Sequence, residues 1–380
     1  MAVTKYGTKK WQARWRDANG KQRAKVFDKK GDADAFLRKA LNLADAGGLD
    51  PAAGKITVAE VGAEFLASCI HLSPGTIEGY ARDLTRYAYP AFGNVPISKL
   101  TSAQIQSWLA EQLTRLAPST VKANYRSLRV MVSWAIRARY LTINPFDGVN
   151  APRVPFVEKE YLTVEQVEAI ANSIGDRYRA FVLVAAYSGA RLAELVGLRR
   201  AWVNGNTITI NEQLKMRATG WSREATKTSG SRRTIVLPAS IAEELREHMD
   251  KYTGPGPDDL VFINQYGNPI GASFRGNVWA PACYKAGLAE LKTHADRPTT
   301  IVGYPKFHSL RHTSVAICIA AGVAPKVIQQ RLGHSSIVLT MNTYGHLMPG
   351  IDDAAAAAMD DLRPSAVVAD VGDPAARQTE

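Results

Sequence analysis

Six polar side chains carry the chemistry this sequence can do. Arg191, Lys227, His308, Arg311, His334 and Tyr344 supply two guanidiniums, one amine, two imidazoles and a phenol. That set suits phosphoryl transfer without a metal. Two guanidiniums neutralise the charge that grows on a phosphate, and each can donate two parallel hydrogen bonds. A phenol ordinarily holds its proton at neutral pH, but neighbouring cations stabilise the phenolate and make it a usable nucleophile. Imidazoles manage protons near neutrality. Four of the seven histidines fall between positions 308 and 346, together with Arg311 and Tyr344.

Each residue has a plainer meaning when taken alone. Arg191 lies in SGARLAEL, where a long apolar helix ends in a glycine turn and the arginine begins the next helix. By itself it reads first as half of a structural salt bridge, with Glu194 three residues on to orient it or the neighbouring backbone. Lys227 lies in TKTSGSRRTIVLP, at a hairpin turn leading into a strand. From there an amine can reach a groove and a leaving-group oxygen, although a single lysine so placed says little. His308 and Arg311 are three apart and share a helix face. The His308–His312 spacing also suits a metal pair, but no HExxH glutamate and no clear third ligand accompany it, and Arg311 would repel a cation. No metal is expected. His334 follows Leu332-Gly333 and projects from a helix cap. A lone Tyr344 would read as a core residue with its hydroxyl satisfied.

The elements that must position these groups follow from hydrophobic period and turn residues. WQARWR at 11–16 and KQRAKVF at 21–27 flank Asn19-Gly20, a hairpin signal. Ala33, Phe36, Leu37, Ala40, Leu41 and Ala44 then keep a helical period up to Gly47-Gly48. A small three-stranded sheet on one helix is expected, with basic exposed strand faces. GGLDPAAGK at 47–55 reads as a linker. Four helices are expected from Thr57 to about Asn144, with apolar stripes Val58/Val61/Phe65/Leu66, Ile77/Tyr80/Leu84/Tyr87, Ile105/Trp108/Leu109/Leu113 and Val121/Tyr125/Leu128/Val132/Ile136. The polar face of the fourth carries Lys122, Arg126, Arg129, Arg137 and Arg139. Beyond a second linker near Ala151–Pro155 the pattern is mixed. Thr163 with Gln166 fits a capping box, 207–210 and 234–237 read as strands, and helices are expected near 239–251, 272–286, 309–321 and 325–332. A short helix around 354–358 and disorder after about Pro364 complete the reading.

Composition sets the outer bounds. The chain has 380 residues, 46% hydrophobic and 22% charged, with a net charge of +12. That length calls for two or three domains, and that charge favours a polyanionic partner, nucleic acid before membrane. The excess is uneven: residues 1–46 hold 12 Lys/Arg against 5 Asp/Glu, whereas 351–380 hold 2 against 7. Cys69, Cys283 and Cys318 are scattered and odd in number, so they read as buried small hydrophobes in a reducing compartment. No charged-then-apolar leader and no run of about 18 apolar residues occurs. A soluble protein of the bacterial cytoplasm is expected.

Read in order, SGARLAEL, TKTSGSRR, HSLRHT, LGHSS and TMNTYGHL closely resemble the tyrosine recombinase (phage integrase) family, whose pattern runs Arg, Lys, His-x-x-Arg, Leu-Gly-His and Tyr. The resemblance covers roughly 158–348. Ala190 stands where the family often has a larger apolar residue. The preceding helical region resembles the family's core-binding domain. Residues 1–46 resemble, in layout and charge, the arm-binding domain of many phage and mobile-element integrases.

The resemblance implies a multidomain protein: an arm-type DNA-binding domain at 1–50 (small β-sheet plus helix), an all-α, SAM-like core-binding domain at 56–148, and a mixed α+β, mostly helical catalytic domain at 158–350. A C-terminal helix and acidic tail would fill 351–380, the helix docking on a neighbouring protomer or on its own. Tyr344 would attack the scissile phosphate, Arg191 and Arg311 would clamp its non-bridging oxygens, and Lys227 would protonate the leaving 5′-oxygen. His308 would relay the tyrosine proton, His334 would hydrogen-bond the phosphate, and Glu194 would support the site. Lys9, Lys10, Arg14, Arg16, Lys21, Arg23, Lys25, Lys122, Arg126 and Arg129 would contact DNA. The family's activity is integration, and with an accessory factor excision, of phage or mobile-element DNA through a 3′-phosphotyrosyl link and a Holliday junction. It works as a homotetramer on double-stranded core and arm-type sites, often with a host DNA-bending protein and an excisionase, without a cofactor. The competing readings are a host-type resolvase, which usually lacks an arm-binding head; a type IB topoisomerase, which relaxes DNA without a partner duplex; and a DNA-binding protein with a decayed site.

Overall fold

Alternation builds the first elements. In the computed structural model, which describes residues 2–7, 9–16, 22–45, 55–155, 160–217, 219–225, 232–294, 296, 298–334, 336–338 and 359, strands β1 (Ala2–Tyr6), β2 (Lys10–Arg16) and β3 (Gln22–Phe27) form an antiparallel sheet in the order β1-β2-β3. Every second residue of β2 turns toward helix α1 (Lys30–Asp45), so Ala13 and Trp15 are buried with Ala33 and Leu37, and Trp11, Phe27 and Phe36 pack around them. Register divides the basic residues between the two faces. Arg23 pairs with Trp15 and Lys25 with Ala13, which puts both on the helix side, whereas Arg14 pairs with Ala24 on the open side. Lys25 lies over the Phe36 ring at 4.9 Å, its stem covering the small core.

The chain divides into two compact units, Met1–Val157 and Glu158–Glu380. Helices of the first unit are α2 (Val58–Ser68), α3 (Pro74–Asp83), α4 (Tyr89–Phe92), α5 (Ser102–Leu113) and α6 (Pro118–Arg137). Capping boxes start α2 (Thr57 with Glu60) and α5 (Thr101 with Gln104). Pro74 opens α3, but Ser73 bonds the Thr76 hydroxyl rather than a backbone N–H. A π-helical stretch, Leu84–Ala88, joins α3 to α4. The expected stripes meet in one core, with Val61, Leu84, Ile105, Val121, Leu128 and Val132 fully enclosed. Leu113 is an exception and lies exposed at the end of α5. Lys122, Arg126 and Arg129 are exposed on one side of α6, with Arg129 donating to the Tyr125 hydroxyl at 3.3 Å.

The second unit is built around α8 (Asp176–Ser188), whose Ala180–Ala186 stretch is buried on all sides. A helix apolar all round belongs in a core, and α7 (Val164–Ser173) comes before it, started by the expected Thr163–Gln166 box. α9 (Leu192–Val196) follows. Strands β4 (Val203–Asn204), β5 (Thr207–Ile210) and β8 (Arg233–Val236) form one antiparallel sheet. β6 (Glu212–Arg217) and β7 (Gly220–Ala225) form a separate hairpin that the sequence reading missed. Their residues are mostly polar, and the hairpin is laced by Lys215–Glu224 at 3.2 Å and Arg223–Glu212 at 3.1 Å rather than by an apolar stripe. α10 (Ala239–Tyr252), α11 (Ala280–Lys285), the short pair β9 (Glu290–Lys292) and β10 (Thr300–Val302), α12 (Ser309–Ala320) and α13 (Pro325–Leu332) complete the described elements. Phe181 of α8 stacks on Phe307 at 5.0 Å, just before α12, so the α8 and α12 ends are fixed against one core. The expected C-terminal helix near 354–358 lies outside the described residues.

Candidate active site

Four helix ends of the second unit meet at one place. α8 stops at Gly189, whose φ of +64° is the left-handed C-cap conformation. A Cβ there would lie 2.9 Å from Leu332 Cδ2 and 3.0 Å from Ser314 Oγ. Glycine is therefore needed both for the turn and for the approach of α12 and α13. Arg311, on α12, is buried at 5% exposure. Its Nη1 donates to the Gly189 carbonyl and its Nη2 to the Leu332 carbonyl at 2.8 Å. One guanidinium thus ties the ends of α8 and α13 to α12. Gly333, with φ of +62°, caps α13, and His334 follows it.

Arg191 is the N-cap of α9, two residues after the Gly189 turn. Its backbone N–H donates to Glu194 Oε2 at 2.8 Å and its Nη1 to Oε1 at 2.7 Å. Glu194 is 3% exposed. Burial alone would raise its pKa, but the hydrogen bond and charge of Arg233, with those of Arg191, outweigh burial and hold the carboxyl below its ordinary value. Arg233 Nη2 lies 2.8 Å from Glu194 Oε2. The plain reading of Arg191 as half of a salt bridge with Glu194 is met, and the same carboxylate fixes both its backbone N–H and its guanidinium.

His334 sits among these cations. Desolvation, then the charges of Arg311, Arg191, Arg233 and His312, push its pKa down to about 4. The imidazole is neutral at pH 7, a form with one N–H to donate and one nitrogen to accept. Its position is fixed by backbone: His334 N–H donates to Gln329 O at 3.2 Å, and Gln329 Nε2 donates back to His334 O at 3.0 Å. His308 is exposed at the N-cap of α12, its ring edge-on to His312 at 5.3 Å.

The fold thus gathers Arg191, Arg311 and His334, with Glu194 behind them. Lys227 falls between β7 and β8, and Tyr344 follows position 338; both lie outside the described residues, as does Lys21. Arg233 was not singled out from the sequence. Nothing in the spacing along the chain points to it, because its partners, Glu194 and the Arg331 carbonyl, lie 39 and 98 positions away. Among the described residues no group of three or more His, Cys, Asp or Glu is placed to hold a metal. No helix among them is long and apolar enough to cross a membrane.

Guanidiniums held on helix ends around a neutral imidazole have the chemistry to receive a phosphate oxygen, and the chain that carries them belongs to the phage integrase family of tyrosine recombinases, enzymes of site-specific DNA recombination. The phage integrase family model matches residues 160–349, and that of the phage integrase N-terminal SAM-like domain matches 57–113. Among relatives, the integrase of Mycobacterium phage L5 is 26% identical over 351 residues, covering 89% of this chain and 90% of that one. Among solved structures, the Tn1549 transposon integrase in complex with a circular intermediate DNA superposes with a TM-score of 0.67 at 23% identity, over 81% of this chain and 100% of that one. A lambda integrase tetramer bound to a Holliday junction has a TM-score of 0.56 at 17% identity, over 88% and 95% of the two chains.

Proposed function

We propose that this recombinase integrates phage or mobile-element DNA, and excises it with an accessory factor, by cutting and rejoining strands through Tyr344. The Tyr344 Oη attacks the scissile phosphorus, the P–O5′ bond breaks, and a 3′-phosphotyrosyl ester forms. Arg191 and Arg311 neutralise the two non-bridging oxygens as charge builds, and His334 donates a hydrogen bond to the same phosphate. His308 takes up or relays the phenol proton, and Lys227 protonates the leaving 5′-oxygen. A 5′-hydroxyl from a partner duplex then attacks the ester, returns the proton to Tyr344 and restores a phosphodiester. Bond energy is kept in the ester, so no nucleotide is consumed.

The observation that carries this reading is the meeting of Arg191, Arg311 and a neutral His334 at the ends of α8, α9, α12 and α13. The assembly is a homotetramer on two duplexes, passing through a Holliday junction. Residues 1–50 engage arm-type sites and the α6 face engages the core site. An excisionase and a host DNA-bending protein assist. The sheet-plus-helix unit at the front of the chain favours an integrase over a host-type resolvase.

Covalent trapping tests the nucleophile. With a nicked attachment-site duplex that strands the cleaved intermediate, the parent protein gives a protein–DNA adduct. Tyr344→Phe gives none while binding the site as the parent does. Undiminished adduct from the phenylalanine variant overturns the assignment.

A further inference from the structure

The C-terminus of α13 is closed by two arginines, and only one of them has a role in the chemistry above. A helix end leaves four carbonyls without helical partners and bears partial negative charge. Here Gln330 O accepts from Gly333 N–H at 3.0 Å and Gln329 O from His334 N–H at 3.2 Å. Leu332 O accepts from Arg311 Nη2 at 2.8 Å, and Arg331 O from Arg233 Nε at 2.6 Å. The other edge of Arg233 faces Glu194, with Nη2 to Oε2 at 2.8 Å and Nη1 to Oε1 at 3.4 Å. Its side chain is 7% exposed and that of Glu194 is 3% exposed. The approach is close enough that a Cβ on Gly333 would stand 3.1 Å from Arg233 Nη1.

One buried guanidinium therefore spans two structures that must agree. On one side is the carboxylate that holds the Arg191 backbone and guanidinium. On the other is the turn that carries His334. We propose that Arg233 is a positioning residue for strand cleavage: it locks the Arg191–Glu194 corner to the His334 turn, so that both present to the same phosphate. The proposal rests on the reading of Arg191 and His334 as phosphate-binding groups. Arg233 faces inward to a carboxylate and a carbonyl and acts through them. Without it, Glu194 keeps Arg191 alone as a charge partner among the described residues, and the last turn of α13 loses one of the two guanidinium clamps seen there. A misplacement of about 1 Å at such a site costs on the order of 100-fold in rate.

The test uses the full-length protein and a nicked duplex carrying its attachment site, mapped beforehand by covalent trapping. Single-turnover adduct formation and site affinity are read separately for Arg233→Gln, Arg233→Lys, Arg191→Ala and the Arg191→Ala/Arg233→Gln double variant. Arg233→Gln is expected to slow trapping ~10-fold or more, with affinity within about twofold of the parent. Arg233→Lys keeps the charge but cannot bridge both partners, so its rate falls between the two. In the Arg191→Ala background the Gln change adds little, because the two residues act as one unit. Parent-rate trapping by Arg233→Gln, losses that multiply in the double variant, or affinity and rate falling together each overturn the proposal. If Arg233→Gln does not fold, Arg233→Lys decides: slowed trapping upholds the role and parent-rate trapping overturns it. Parent-rate trapping by Arg191→Ala is a different result, which sinks the underlying reading of the site.

Discussion

At the scale of single residues, one imidazole is kept uncharged among guanidiniums. His334 has an ordinary value of 6.5 that is pushed to about 4 by burial and by Arg311, Arg191 and Arg233. The folded-state value lies below the unfolded one, so as pH falls the unfolded chain takes up this proton first. Stability from this group is complete above about 6.5, declines as pH drops toward 4, and is level below that. The denaturation midpoint of the parent should therefore fall between pH 7 and 4 more steeply than that of His334→Gln. A parent-minus-variant difference that stays constant across that window excludes the charge-free histidine. Burial with two cationic partners makes Glu194 the complementary case, its carboxyl held ionised, so its contribution persists until the pH falls well into the acid range.

At the scale of elements, what could be read from sequence and what could not separate cleanly. Capping and glycine chemistry is local, so the Thr163–Gln166 start of α7, the Gly189 stop of α8 and the Gly333 stop of α13 appear in the structure where the residues imply them. The β6–β7 hairpin escaped because its order comes from cross-strand charges such as Lys215–Glu224, which no periodicity reveals. α6 offers a testable element. Lys122 and Arg126 lie exposed on one side of it, so charge reversal there leaves the core untouched. Lys122→Glu with Arg126→Glu should leave the melting temperature near that of the parent and weaken core-site binding. The slope of log affinity against log salt should become shallower by about 0.9 for each DNA phosphate that is no longer neutralised. An unchanged slope removes this face from the DNA interface.

At the scale of the whole molecule, charge is distributed by segment: a basic front, a positive total of +12 and an acidic end. The front is also a structural element in its own right, with Ala13, Trp15, Ala33 and Leu37 forming a core separate from that of α2–α6. Removing residues 1–50 should therefore leave attachment-core binding intact while abolishing footprints at flanking arm sites. Integration at the parent rate by the truncated protein would falsify the arm assignment. The basic residues divide across the sheet: Arg14 is on the open face, whereas Arg23 and Lys25 are on the side of α1.

Sequence alone determined the ordered set Arg191, Lys227, His308, Arg311, His334 and Tyr344, the family that such an order implies, and the places of several helices among the described residues, such as α7, α10, α12 and α13. These follow from residue type and from interactions a few positions long, which the chain carries wherever it folds. Tertiary structure alone decided that Arg311 would spend hydrogen bonds on the Gly189 and Leu332 carbonyls, that Glu194 would be shared by Arg191 and Arg233, and that β-strand register would divide the basic front. Each of those contacts joins residues from separate elements, or depends on which of two faces a strand turns to the core. Spacing along the chain is silent about both, because packing chooses the partners.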